Sequence, residues 1–134
     1  DRISRPTRGY MYRKEHFIED VNELDSNDGL FTSLRILADD IFTWNKQQGF
    51  WPEDRNFGEA LALVHSEISE CLEAHRKQST DSHLPQYKGA EVELADAMIR
   101  ILDIAAGYDL DVIGALKDKL IYNANRPYKH GKSY

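Results

Sequence analysis

Four acidic residues fall into two pairs with the same spacing. Glu67 and Glu70 stand three apart in "HSEISECLEAHRK" (65–77), and Glu93 and Asp96 stand three apart in "AEVELADAMIR" (90–100). On a helix, residues three apart share a face, with Cβ atoms roughly 5–6 Å apart. Glu67 falls between Ala60 and Ala74 on the helical wheel, and Glu70 falls beside Leu63. Glu93 and Asp96 open a narrow polar stripe, continued by Arg100 and Asp103, on a helix that is otherwise apolar nearly all round. Carboxylates facing each other between two helices repel. Each pair roughly 6 Å apart costs about 3 kcal/mol at an effective dielectric of about 20. Desolvation adds to that cost, and a metal-free protein answers by raising pKa values. A hard divalent cation reverses the balance. Mg²⁺ takes carboxylate oxygens, keeps several waters and accepts phosphate oxygens as further ligands. A lone E-x-x-E is common on solvated helices. Its pairing with a second acidic pair inside an apolar helix is what points to a metal site.

Those pairs need helices to hold them. In the second long helix, expected over 57–78, Leu61, His65, Ile68 and Leu72 cluster on one side and read as its core face. Val64, Cys71, Ala60 and Ala74 extend that arc, while Ser66, Ser69, Glu59, Glu73 and Lys77 lie opposite. The third helix is expected over about 90–106. Leu94, Met98, Ile101, Leu102 and Ala105 form one side of it, and apolar character nearly all round predicts burial. Gly107 follows as a natural C′ residue.

Before these, Leu30, Leu34, Leu37, Ile41, Trp44 and Gln48 recur at steps of four and three, predicting a helix over about 31–48 capped by Thr32 or Ser33. After them, Asp109 or Asp111 is expected to cap a fourth helix running to about 124. Gly49 and Pro52 mark 47–56 as a loop, and 79–89 is a connection. A short helix over about 14–24 carries Phe17, Val21 and Leu24. "DSNDG" (25–29) has turn chemistry; it is one residue short of a calcium loop and lacks the terminal Glu. No alternating strand pattern and no internal repeat occur. The fold class is all-α, of the four-helix-bundle type, with 1–28 as a partly irregular arm and 29–134 as the domain.

Composition agrees with one soluble domain: 134 residues, 41% hydrophobic and 30% charged. No apolar run approaches the ~20 residues of a membrane span. No signal-peptide pattern is visible, and a start at Asp1 instead of Met is expected of a cut or engineered terminus. The lone Cys71 rules out an internal disulfide framework and suits a reducing, cytoplasmic setting. A net charge of −6 argues against general duplex nucleic-acid binding. Its distribution is uneven. Arg2, Arg5, Arg8, Arg13 and Lys14 crowd the start, and Lys117, Lys119, Arg126, Lys129 and Lys132 crowd the end. An acidic middle between basic ends suits an anionic ligand held by cations and a metal.

At these residues the chain resembles the MazG-like all-α nucleoside triphosphate pyrophosphohydrolases. E-x-x-E on one helix and E-x-x-D on the next carry the likeness, with "LALVHSEISECLEAHRK", "EVELADAMIRILDIAAGYDLD" and "KLIYNANRPYKHGK" around them. It covers roughly 33–132. The resemblance implies a helical bundle that dimerises, or assembles as a dimer of dimers. It implies Mg²⁺, with Mn²⁺ as a substitute, and cleavage between the α- and β-phosphates of a nucleoside triphosphate to a monophosphate and pyrophosphate. By position, Glu67, Glu70, Glu93 and Asp96 are the implied metal ligands, and Lys119, Asn123 and Arg126 lie on the substrate side. Many members have consecutive glutamates opening the first motif, whereas Ser66 stands at the first of those places here. The deoxycytidine triphosphate-directed branch also lacks that acid, so the departure bears on metal number more than on activity.

The chemistry then assigns roles. Glu67 or Glu70 has the carboxylate capacity to orient or deprotonate a water. Cations of the tail suit a departing pyrophosphate: Arg126 as a bidentate fork, Lys129 as a point charge. Arg100 and Asp103 read as an outer shell or an ion pair. Trp51 and Phe50 offer rings for a base, or pack their loop onto the bundle. His65 has no second His or Cys at ligand spacing and reads as a core-edge residue. No Walker A motif, Ser–His–Asp set or Glu-x-x-His pair is present. Two alternatives stand beside the enzyme: a non-catalytic helical dimerisation module whose carboxylates pair with Arg and Lys across subunits, and a deoxyuridine triphosphate-directed hydrolase of the same superfamily.

Overall fold

A computed structural model describes residues 14–26, 28–127 and 132–133. Among them are five helices: α1 (Lys14–Ser26), α2 (Asp28–Gln47), α3 (Phe57–Lys77), α4 (Gly89–Gly107) and α5 (Val112–Ala124). The class is all-α. Two backbone stretches form a single isolated bridge, Thr80 with Lys88. No helix among the described residues is long and apolar enough to cross a membrane.

The chain divides into two compact units, 1–32 with 113–134, and 33–112. In the first, Val21, Phe31, Ile113 and Ala124 are buried, and the Lys117 ammonium lies 5.9 Å from the centre of the Phe31 ring. The second unit holds α3 and α4, which pack closely on each other.

That packing rests on small residues. On α3, Ala60 is buried, and Val64, Cys71 and Ala74 are half-buried beside the buried Glu67. On α4, Gly89 and Ala97 are buried. A Cβ placed on Gly89 would sit 2.9 Å from the Ala74 Cβ, so the two backbones are as near as a missing side chain allows. The Cys71 thiol donates to the Ala90 carbonyl at 3.5 Å. Residues falling on α3 thus meet residues rising on α4, and the pair is antiparallel.

Local signals set the ends of both helices. The Asn56 side chain accepts the Glu59 N–H at 3.2 Å and caps α3. Gln78, left-handed at φ 50°, closes it. The Asp81 carboxylate then accepts the N–H groups of His83 and Leu84 at 2.9 and 2.8 Å, which folds the connection back. The Glu91 carboxylate accepts the Lys88 N–H at 3.0 Å as α4 begins.

Several expectations need correction. The stretch 25–29, expected as a turn, is helical at both ends, since α1 runs to Ser26 and α2 begins at Asp28, and Asn27 lies outside the described residues. Thr32 and Ser33 therefore lie inside α2 and do not cap it. The α4 helix is not buried all round: Met98 is 64% exposed, and Leu94, Ile99 and Ile101 are exposed too. The expected core face of α3 is likewise outside, with Leu61, His65, Ile68 and Leu72 all exposed. The physical reason is the same for both helices. Small residues let the helix axes approach, so the alanine–glycine arcs meet and the larger side chains are left outward. On α2, Leu37 and Trp44 of the expected stripe are exposed while Phe31 and Ala38 are buried.

Gly107 also does something other than expected. The left-handed residue after α4 is Asp109, at φ 52°. Any Cβ on Gly107 would collide with the Trp51 ring, so its bare Cα is the floor on which the indole rests. Asp111 immediately precedes α5 and pairs with Arg35 at 3.6 Å.

Candidate metal centre

Antiparallel pairing places Glu67 of α3 against the stripe of α4. One carboxylate oxygen each from Glu67, Glu93 and Asp96 lie within 4.8 Å of one another. Glu67 is buried, while Glu93 and Asp96 are half-buried. Glu70 is exposed at the edge, within hydrogen-bonding reach of the Glu93 carboxyl. The structure therefore brings together the two acidic pairs, three of them tightly and Glu70 at the rim.

The electrostatics are uneven across the cluster. Burial pushes Glu67 up, but the hydrogen bond from Arg100, aided by hydrogen bonds with Glu93 and Glu70 and by the Arg100 charge, holds it below its ordinary value. The Arg100 Nε–H donates to Glu67 Oε1 at 2.7 Å. Glu93 goes the other way. Burial first, then hydrogen bonds with Glu67 and Glu70 and their charges, push it up to about 7. Asp96 is raised by burial and by the Glu67 charge, against a lowering pull from Arg100. Glu67 thus has a basic partner, while among the described residues neither Glu93 nor Asp96 forms an ion pair.

Arg100 and Asp103 do not pair with each other. Asp103, 4% exposed, accepts the Trp51 Nε1–H at 2.9 Å and the Arg55 Nη1–H at 3.3 Å. The Arg55 guanidinium lies 4.0 Å over the Trp51 ring. Phe42 and Tyr108 each place a ring 5.1 Å from Trp51, and the Tyr108 hydroxyl donates to the Arg55 carbonyl at 3.3 Å. Trp51 is thus packed against protein on several sides. Phe50, its neighbour, is 65% exposed. A cavity of about 340 Å³ opens beside the cluster, lined by Glu67, Asp96, Arg100, Arg55, Asn45 and Phe50 among others.

Lys119, Asn123 and Arg126 belong to α5 and the residues just after it, in the other compact unit. There the Lys119 ammonium and the Arg126 guanidinium lie 4.8 and 5.5 Å from the centre of the exposed Tyr122 ring. Lys129 lies outside the described residues. Ser66, at the place where the resembled family often has an acid, turns its hydroxyl onto the Leu63 carbonyl at 2.7 Å.

Arg55 and Asn45 went unread in the sequence. Neither has a partner at helical spacing, and Arg55 meets Asp103 across 48 positions, so no local pattern marks it. A polar residue at a loop end before a cap was the sole available hint.

The donor set consists of carboxylate oxygens alone, on two rigid helices, with a proton affinity raised at Glu93 and Asp96. That suits a hard divalent cation and no soft one. No protein-family model matches the chain, and no curated protein or solved structure does either.

Proposed function

We propose that this protein is a Mg²⁺-dependent nucleoside triphosphate pyrophosphohydrolase of the MazG-like all-α kind, releasing a nucleoside monophosphate and pyrophosphate. The observation that carries the reading is the meeting of Glu67, Glu93 and Asp96 oxygens within 4.8 Å, beside a cavity also lined by two guanidinium groups. Glu67, Glu70, Glu93 and Asp96 would hold the cation, with Mn²⁺ as a substitute. When bound, it supplies charge neutralisation for the triphosphate and a lower pKa for a water.

The chain's own residues supply the rest. Glu70 is exposed at the rim and has oxygen capacity to orient a water and take its proton. Arg55 places positive charge in the cavity wall from a fixed position. Lys119, Asn123 and Arg126 are the proposed substrate-side groups by resemblance, and Lys129 joins them as a point charge. Trp51, held under Arg55, would shape the wall near a base through its loop neighbour Phe50. Asp103 supports Arg55 from behind, and Arg100 supports Glu67 from the cavity wall.

Self-association belongs to the same proposal. Exposed Leu61, Ile68, Leu72, Leu94, Met98 and Ile101 give α3 and α4 an apolar outer surface that a second copy would cover, as a dimer or dimer of dimers. A cytoplasmic location is proposed from the lone thiol.

The test is a panel of nucleoside triphosphates with Mg²⁺, scored for pyrophosphate against orthophosphate. Pyrophosphate from at least one, abolished by excess chelator, is expected. A deoxyuridine triphosphate preference within that panel would assign the neighbouring branch. The dimerisation-module reading predicts no turnover and a melting temperature that Mg²⁺ hardly moves. That reading puts the partners of the carboxylates across subunits, whereas Arg100 and Glu67 pair within one chain.

A further inference from the structure

The cluster already contains a cation of its own. Arg100 stands one turn beyond Asp96 on α4 and reaches Glu67 on α3 through Nε alone, at 2.7 Å. A guanidinium has five N–H donors. Among the described residues, those on its two terminal nitrogens make no hydrogen bond. The side chain is 36% exposed and lines the cavity of about 340 Å³. Arg55, on the same cavity, differs on each count. Its side chain is 13% exposed, its guanidinium pairs with the buried Asp103, and it lies over the Trp51 indole. One arginine is locked and the other is held at one point.

We propose that Arg100 is a resident counter-ion of the acid cluster, which a divalent cation displaces from Glu67 into the adjoining cavity, where the guanidinium binds phosphate oxygens. The inference rests on the metal-dependent reading above. Its physical basis is repulsion between two cations that share one carboxylate. The Arg100 guanidinium bonds Glu67 at 2.7 Å, and a dication held by the Glu67, Glu93 and Asp96 oxygens would meet that positive charge at close range. The displaced group does not lose a partner. Its planar fork fits phosphate oxygens in pairs, and the cavity lies directly beside its present position. In the absence of a dication, the Arg100 Nε–H holds the Glu67 carboxylate in place at 2.7 Å.

The role has a signature that a purely structural residue lacks: opposite effects on two ligands. Arg100→Gln removes the competing charge, so Mn²⁺ alone, titrated by electron paramagnetic resonance, should bind about tenfold tighter than to the wild type. Inorganic pyrophosphate at saturating Mg²⁺, followed by calorimetry, should bind about tenfold or more weakly. Arg100→Lys keeps the charge without the fork. It should return Mn²⁺ affinity toward the wild-type value and recover pyrophosphate binding only in part. Circular dichroism fixes the helical content of each variant, and the lysine variant carries the test should the glutamine variant unfold. Mn²⁺ affinity unchanged or lower in Arg100→Gln, with wild type binding normally, would overturn the counter-ion role and leave the proposed function standing. Pyrophosphate affinity unchanged in Arg100→Gln would overturn the phosphate-binding role. Failure of the wild type to bind Mn²⁺ at all would overturn the metal-dependent reading itself.

Discussion

The α4 stripe serves two regions that handle negative charge in opposite ways. At its C-terminal end, Asp103 is almost fully buried, with an indole N–H and a guanidinium as donors. Charge there is balanced, one acid to one base, and the surrounding rings pack tightly. About two and three turns earlier, Asp96 and Glu93 crowd together with Glu67 of α3 and one arginine, and Glu70 stands at the rim. Charge there is in excess, and a proton held on Glu93 to about pH 7 is part of how the protein tolerates it. A balanced buried pair is a structural fastening; removing one partner is what hurts. An unbalanced acid cluster at a cavity is a place waiting for positive charge. The same helix, read along one face, passes from the second kind to the first.

Substitutions can break this contrast. The largest effect is expected on turnover. Asp96→Asn or Glu70→Gln should lower pyrophosphate release by roughly 10³-fold or more while circular dichroism stays unchanged. Turnover surviving either change would remove the cluster from the chemistry. Asp103→Ala should instead cost about 3–5 kcal/mol of stability, because it leaves the Arg55 charge and the Trp51 N–H without their partner. Urea unfolding measures it, and Mg²⁺ should not restore the loss. Gly107→Ala forces the new methyl into the Trp51 ring and should cost about 1–3 kcal/mol by the same assay.

The smallest effect sharpens the contrast by pH. Glu93 has a folded-state value of about 7 against an ordinary 4.5. The folded protein holds that proton more firmly than the unfolded chain, so its contribution is full below pH 4.5 and is lost as pH rises through 7. Metal-free stability should therefore fall across that window. Glu93→Gln should flatten the slope, and Mg²⁺ should offset the loss at the upper end. A metal-free protein whose stability rises from pH 4.5 to 7, with no flattening in Glu93→Gln, would show that Glu93 is not the strained member.

The helices and the acidic cluster were legible because their signals are local. A spacing of three within each pair, in a chain that repeats it on the next helix, suffices to place Glu67, Glu93 and Asp96 near one another. Which arc of α3 meets α4 was not legible from side-chain size. Leu61, Ile68 and Leu72 carry the greater apolar area and are exposed, yet the shown contacts with α4 belong to Cys71 and Ala74. Apolar area says how much a surface gains from cover, whereas helix approach is decided by what can fit between two backbones. The Asp103 fastening was hidden for another reason. Trp51 and Asp103 are 52 positions apart, and only the folded chain brings a loop indole over the bare Cα of Gly107.

The small residues between α3 and α4 have a consequence for how this protein can change. Ala74 and Gly89 touch no substrate in the proposed reaction, yet their close approach helps set the distance between the two helices that carry the acids. One added methyl at the Gly89–Ala74 crossing pries the hairpin apart from its closed end. Such a change would shift the spacing of the acids and cost stability together.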